Sequence, residues 1–308
     1  MYDFAIADKG DRTGPYQPKT LGIEVTDAEI ARRCGLGVID PQHGAASEPD
    51  AETAIEAACS ATVPPAGSRL ITIRADLDAI GAMAVLAHRH ASLLIDAEMG
   101  ERIARIALLD KFDLGEWPGA RPLPRTPDDI QTDGAGVELA AMAAAVSDRT
   151  VSTAERVTAM RTWLRSGTVP ASHAHAAQQQ AARLMRSLKL GATRVEADAT
   201  DRVAIVVSIE PGALRLGYRL APVVVALNPA HRFADGARGR KFTLARWAEG
   251  DADLDSAVGN LASDESGWGG QRGIKGSPQD RPSQLDLSKV VAAVRSSLPE
   301  GIGGRSAA

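Results

Sequence analysis

The chain has 308 residues, 44 % of them hydrophobic but only 4 % aromatic, and a formal charge of −4. That length suits two domains, with cores built from aliphatic side chains and closely approaching helices. The lack of a basic excess argues against duplex DNA, which needs clustered Lys and Arg along its phosphates, and leaves room for a nucleotide-sized ligand. Cys34 and Cys59 are too far apart for a zinc knuckle and read as reduced, buried thiols. The opening "MYDFAIADKGDR" lacks the apolar core of a secretory signal, and no apolar run reaches the roughly 20 residues of a membrane span. A soluble, cytoplasmic protein is expected, of undetermined oligomeric state.

Residues 1–21, rich in Gly, Pro and charge, read as an irregular arm. "TDAEIARRCGLG" follows as a short helix, with Thr26 and Glu29 as a capping box and Gly35 as its stop. "LGVID" is a short strand ending on Asp40, in the turn "DPQHGA". "DAETAIEAACSA" has helical spacing and is broken by "PPAG". "RLITIR" at 69–74 alternates and is β-branched, hence a strand, and "AIGAMAVLAHRH" is helical. The order strand, helix, strand, helix predicts a βαβ unit in which the two strands pair in parallel.

"DAEMGERIARIALLDKFD" is a further helix, followed by a Pro- and Gly-rich loop at 117–136. Helices are predicted at 137–147, at 152–165 behind a Ser152–Glu155 capping box, and at about 172–190. The polar "GATRVEADATD" marks a boundary. Beyond it lie three strand-like runs ("RVAIVVSIE", "APVVVALNP", "RKFTLARWA"), a helix capped by Asp253, the glycine-rich "ESGWGGQRGIKGSPQ" and a closing helix. The expected fold class is α/β: a parallel sheet flanked by helices over 22–195, then a smaller α+β domain over 200–300.

Open parallel sheets bind ligands at the carboxyl ends of their strands. Asp40 and Asp76 each follow a predicted strand, His43 comes just after Asp40, and Asp78 just after Asp76. That gathers three carboxylates and an imidazole on one rim. Close carboxylates repel, and a divalent cation relieves them; oxygen ligands with an imidazole suit Mn²⁺ or Mg²⁺. Two aspartates spaced i, i+2 suit two ions, which together activate water and stabilise charge on phosphate oxygens. The plainer reading makes these aspartates helix caps, with Asp78 capping the helix at 79–88.

"ADLDAIGA" at 75–82 resembles the first motif of the DHH phosphoesterase family, an Asp-x-Asp-Ala-x-Gly element after a strand. "GWGGQRGIKGSPQ", close to the final helix, resembles the Gly-Gly loop of that family's associated C-terminal domain. The resemblance implies a two-domain fold, a di-manganese site in the N-terminal domain and hydrolysis of phosphoester or phosphoanhydride bonds. By position, Asp76 and Asp78 would be metal ligands, and Gly269 and Gly270 would line a phosphate-binding loop. The sequence departs from the family in two places. Arg74 stands in "TIRA", where an upstream histidine is usual, and there is no Asp-His-His triplet. "VIDPQHG" is the nearest analogue of that triplet, and it precedes the first motif. Asp110, in "IALLDKFD", is a further candidate ligand.

"GARGRKFTLARW" gathers Arg238, Arg240, Lys241 and Arg246 beside Phe242 and Trp247, either a strand edge for phosphates or a solvated hairpin flank with core aromatics. The loop from Gly267 to Gly276 offers bare backbone N–H groups to an anion, with Lys275 in it and Ser277 just after, but lacks a Walker pattern. His231 is expected in a loop within reach of a phosphate. The pairs His88/His90 and His173/His175 do not share a helix face and are expected to be exposed. Serine-hydrolase elbows and dinucleotide fingerprints are absent.

The sequence therefore predicts a metal-dependent phosphoesterase acting on a small nucleotide or short oligonucleotide in an interdomain cleft. Asp40, His43, Asp76, Asp78 and Asp110 are the expected metal ligands. Arg74, Arg240, Lys241, Gly269, Gly270, Lys275 and Ser277 are the expected substrate contacts. The alternative is a non-catalytic descendant that binds a phosphorylated ligand or a protein partner.

Overall fold

The computed structural model describes residues 2–7, 18–41, 52–113, 134–198, 202–247, 249–270 and 273–299. Met1–Asp110 with Gln131–Gln178 form one unit, and Gln179–Ala308 belong to a second. The division falls earlier than the expected boundary at 195–200. The chain is α/β, as predicted.

Short apolar runs build the first sheet from β1 (Asp3–Ile6), β2 (Thr20–Ile23), β3 (Val38–Ile39) and β4 (Arg69–Thr72). The order is β1-β4-β2-β3, with every pairing parallel. Two expectations change here. Part of the supposed arm is the edge strand β1, whose four residues are too few to show alternation between charged flanks. The strands leading to Asp40 and Asp76 do not pair with each other, because β2 lies between them. Since all run parallel, their carboxyl ends still share one edge.

The first unit also holds α1 (Ala28–Arg32), α2 (Ala54–Ser60), α3 (Leu77–His90), α4 (Ala97–Asp113), α5 (Gly134–Ser147) and α6 (Thr153–Ser166), and α7 (Ala171–Lys189) begins in it and continues into the second. The cap of α1 is Asp27, one residue after the expected Thr26; its Oδ1 accepts from the backbone of Glu29 and Ile30. Capping boxes open α2 (Thr53, Glu56) and α6 (Ser152, Glu155). The small residues of α3 allow it to be covered on all sides: its chain from Leu77 to Leu86 is buried. It packs against α2, α5 and α6. A Cβ added to Gly81 would lie 2.5 Å from Ile55 Cδ1, so α2 approaches α3 at that glycine. Met83, Leu86, Met142, Met160, Trp163 and Leu164 are fully buried in this unit, each contributing about 1.5–3 kcal/mol of transfer free energy.

The second unit holds β5 (Arg194–Ala197), β6 (Val203–Val207), α8 (Leu214–Gly217), β7 (Val223–Arg232), β8 (Arg238–Arg246), α9 (Leu254–Ala262), β9 (Gly269–Gly270), β10 (Ile274–Gly276) and α10 (Leu287–Ser296). The order is β5-β6-β7-β8-β10-β9, with β6–β7 parallel and the other pairings antiparallel. β5 occupies the stretch expected to be a boundary. Alternation along the strands supplies two cores. Val223, Val225, Phe242 and Leu244 pack with α9 and α10. Val224, Ala245 and Trp247 cluster with Val206 and Tyr218. Asp253 caps α9, as predicted. Among the described residues no helix is long and apolar enough to cross a membrane.

Candidate functional site

At the carboxyl edge of the parallel sheet, Glu24 directly follows β2, the strand between β4 and β3. Its N–H continues the ladder by donating to Ile39 O at 2.9 Å, and its backbone then turns left-handed, with φ 49°. The side chain is 4 % exposed. Burial foremost, and then the charges of Asp76, Asp78, Asp110 and Asp40, push its carboxyl up to about 10. Its protonated form is thereby favoured, and the four aspartates that act on it are the same four that the sequence singled out. Asp40 follows β3, Asp76 precedes α3 and Asp110 lies on α4. His43 lies outside the described residues.

The two aspartates of "ADLDAIGA" have different tasks. Asp76 caps α3, its Oδ1 accepting from Ala79 N at 2.9 Å. Asp78, 1 % exposed, caps a different helix: its two oxygens accept from Ala54 N and Ile55 N of α2, each at 2.8 Å. Burial pushes its carboxyl up to about 7, while the bonds from Ile55 and Ala54 pull the other way. The expectation that Asp78 caps its own helix is thereby corrected, and both its oxygens are already engaged. Arg74 is half-buried, and its backbone N–H donates to Thr72 Oγ1 at 3.1 Å.

The donor chemistry of Glu24, Asp40, Asp76 and Asp110, all carboxylate oxygens, fits a hard divalent cation. Among the described residues, however, no three His, Cys, Asp or Glu side chains come together closely enough to hold one.

The second unit carries a cavity of about 520 Å³ that reaches from Ser208 and Glu210, beyond β6, across β7 and β8 to β10 and β9. Lys241, Gly269, Gly270 and Lys275 all line it, so these expected contacts do come together. Lys241 Nζ donates to the carbonyls of Ser277 and Pro278, and burial lowers its pKa. Lys275 Nζ meets Asp255 Oδ1 at 2.7 Å and donates to Gly270 O at 3.3 Å. A Cβ on Gly269 would meet nothing within 4 Å. One on Gly270, where φ is +145°, would lie 2.5 Å from Ile274 O. His231 lies on β7, not in a loop, and also lines the cavity.

Two expected contacts point elsewhere. Arg240 neighbours Lys241 along β8 and so faces the other side of the sheet. It holds Asp286 Oδ1 at 2.9 Å and Gln284 O at 2.9 Å. Ser277 is fully buried, and its Oγ accepts from Phe242 N at 3.0 Å. His88, expected on the surface, is 3 % exposed with Nε2 against Leu94 O at 2.9 Å. His173 pairs with Asp148 at 3.2 Å.

Sequence reasoning missed Glu24, Ser208, Glu210 and Asn228. For Glu24 a signal existed: it follows the apolar run "TLGI" as Asp40 follows "GVI".

No family model matches the chain, and no curated protein matches it. Among solved structures it is similar to a pGpG-specific phosphodiesterase, PggH, from Vibrio cholerae. The two share 12 % identity at a TM-score of 0.40, over 76 % of this chain and 80 % of that one. A likeness of that size decides neither fold nor activity.

Proposed function

We propose that this protein is a divalent-metal-dependent phosphoesterase of the DHH type, hydrolysing a phosphoester bond in a small nucleotide or short oligonucleotide. One observation carries the reading: a buried glutamate directly follows an inner strand of a parallel sheet, within the field of four aspartates. Burial and like charge both favour a proton or a cation at such a carboxyl. As the described side chains stand, no three of them meet around an ion, so binding of Mn²⁺ or Mg²⁺, two ions in this reading, requires Glu24, Asp40, Asp76 and Asp110 to draw together; His43 is the further expected ligand. When bound, the ions supply Lewis acidity to a phosphoryl oxygen and lower the pKa of a water molecule. The chain's own groups do the rest. Glu24 gives up its carboxyl proton to become a ligand. Asp78 anchors α2 to the start of α3. The Lys241 ammonium and the bare backbone at Gly269 and Gly270 hold substrate phosphate.

The test joins metal analysis of the purified protein to turnover of a short oligonucleotide. About two ions per chain are expected, with turnover lost on chelation, restored by Mn²⁺ and absent in Asp76→Ala. Undiminished turnover by Asp76→Ala would remove the proposal. A second reading, binding of a phosphorylated ligand or protein partner without turnover, is favoured by the engagement of both Asp78 oxygens with α2. Metal-free protein that still binds nucleotide supports it.

A further inference from the structure

We infer that the cavity of the second unit selects a ligand that is anionic at one end only, and that Glu210 is the residue that rejects a second phosphate. This rests on the reading that the cavity takes a phosphorylated ligand. The cavity is electrically lopsided. At one end Lys275 is offset by Asp255 at 2.7 Å. Lys241 there is held by two carbonyls, and its Nζ would lie 3.8 Å from a Cβ at Gly276. At the other end stands Glu210, three residues past β6.

Glu210 sits on a fixed turn. Its N–H donates to Ser208 Oγ at 3.0 Å, and that hydroxyl is bonded to Thr193 Oγ1 at 2.8 Å, itself bonded to Ser187 Oγ at 2.8 Å. The cation paired with Glu210 is Arg183, at 4.0 Å, whose side chain is 67 % exposed; a pair of that kind neutralises little. Between β6 and β8 lie two strand spacings, and to β10 three, so Glu210 stands about 10–14 Å across the sheet from the lysines. The cavity therefore has two separate poles, one cationic and one anionic. A phosphate belongs at the Lys241 pole. The Glu210 pole takes hydrogen-bond donors, such as hydroxyl or amino groups, and repels a second anion.

Calorimetric titration of the full chain with adenosine 5′-monophosphate and adenosine 3′,5′-bisphosphate tests this. The wild type should bind the monophosphate about tenfold more tightly, the scale of one like-charge contact. Glu210→Gln should reduce that ratio towards one, Glu210→Lys should invert it, and Glu210→Asp, which keeps the charge, should preserve it. Equal affinities in the wild type, or an unchanged ratio in Glu210→Gln, overturn the inference while leaving the cavity reading intact. If neither compound binds, the cavity reading falls and the inference falls with it.

Discussion

In the N-terminal unit Glu24 lies buried among aspartates. In the C-terminal unit Lys275, Lys289, Arg240 and Arg295 each hold a carboxylate at 2.9 Å or less. Paired charge fixes a shape, because each ion restrains another. Gathered like charge instead raises the carboxyl of Glu24 and favours a proton there. The first unit should therefore respond to pH and cations, and the second to ligands that exploit a shape already set.

The largest expected effect separates the two aspartates of one motif. Asp78→Ala removes the buried acceptor of two α2 N–H groups and should cost about 3–5 kcal/mol in denaturant unfolding. Asp76→Ala removes one cap bond and should cost about 1 kcal/mol, while abolishing turnover. Equal losses in the two variants would break the assignment of a structural task to one and a functional task to the other.

Next in size is the pH response. With its carboxyl raised from 4.5 to about 10, Glu24 binds a proton on folding throughout that interval. The unfolded chain holds fewer protons there, so metal-free stability is greatest near the acid end and declines as pH rises. Asp78, raised from 3.8 to about 7, acts in the same direction over its narrower window. Glu24→Gln, which cannot ionise, should flatten the slope and leave the metal-free protein more stable than wild type by about 3 kcal/mol at pH 7. Guanidinium melts at pH 5, 7 and 9 read this directly, and parallel slopes in the two proteins would contradict the burial of a neutral Glu24.

In the second unit the matching test is steric. Gly270→Ala forces a Cβ against Ile274 O at a φ that side chains rarely adopt, at a cost of about 1–3 kcal/mol. It should weaken adenosine monophosphate binding without changing the pH slope. Smallest of all, Asp253→Ala removes the α9 cap and should cost about 1 kcal/mol, with ligand affinity unaltered. If Asp253→Ala altered affinity as much as Gly270→Ala, the idea of a local glycine wall would fail.

Much of this architecture was legible because helices such as Ala97–Asp113 and Thr153–Ser166 are long and periodic, and Ser152–Glu155 announces a start. Strands of two to four residues announce nothing. In sequence β1 reads as an arm, β5 as a boundary, and nothing marks β2 between the strands that end near Asp40 and Asp76. Asp76 was legible because a motif surrounds it. Glu24 was not, because its role comes from strand order, which places its strand between β4 and β3. Arg240 misleads because adjacent residues of a strand take opposite faces, and Ser277 because it lies past β10 with its hydroxyl spent on Phe242 N.

The left-handed backbone at Glu24 narrows what evolution can put there. Glycine, asparagine and aspartate enter that conformation most easily. Aspartate alone among them keeps a carboxylate, drawn back by one methylene. A saturation library at this codon, sorted first for folding and then for turnover, should return two different sets of survivors, with the small turn-formers enriched by the first sort and glutamate retained by the second.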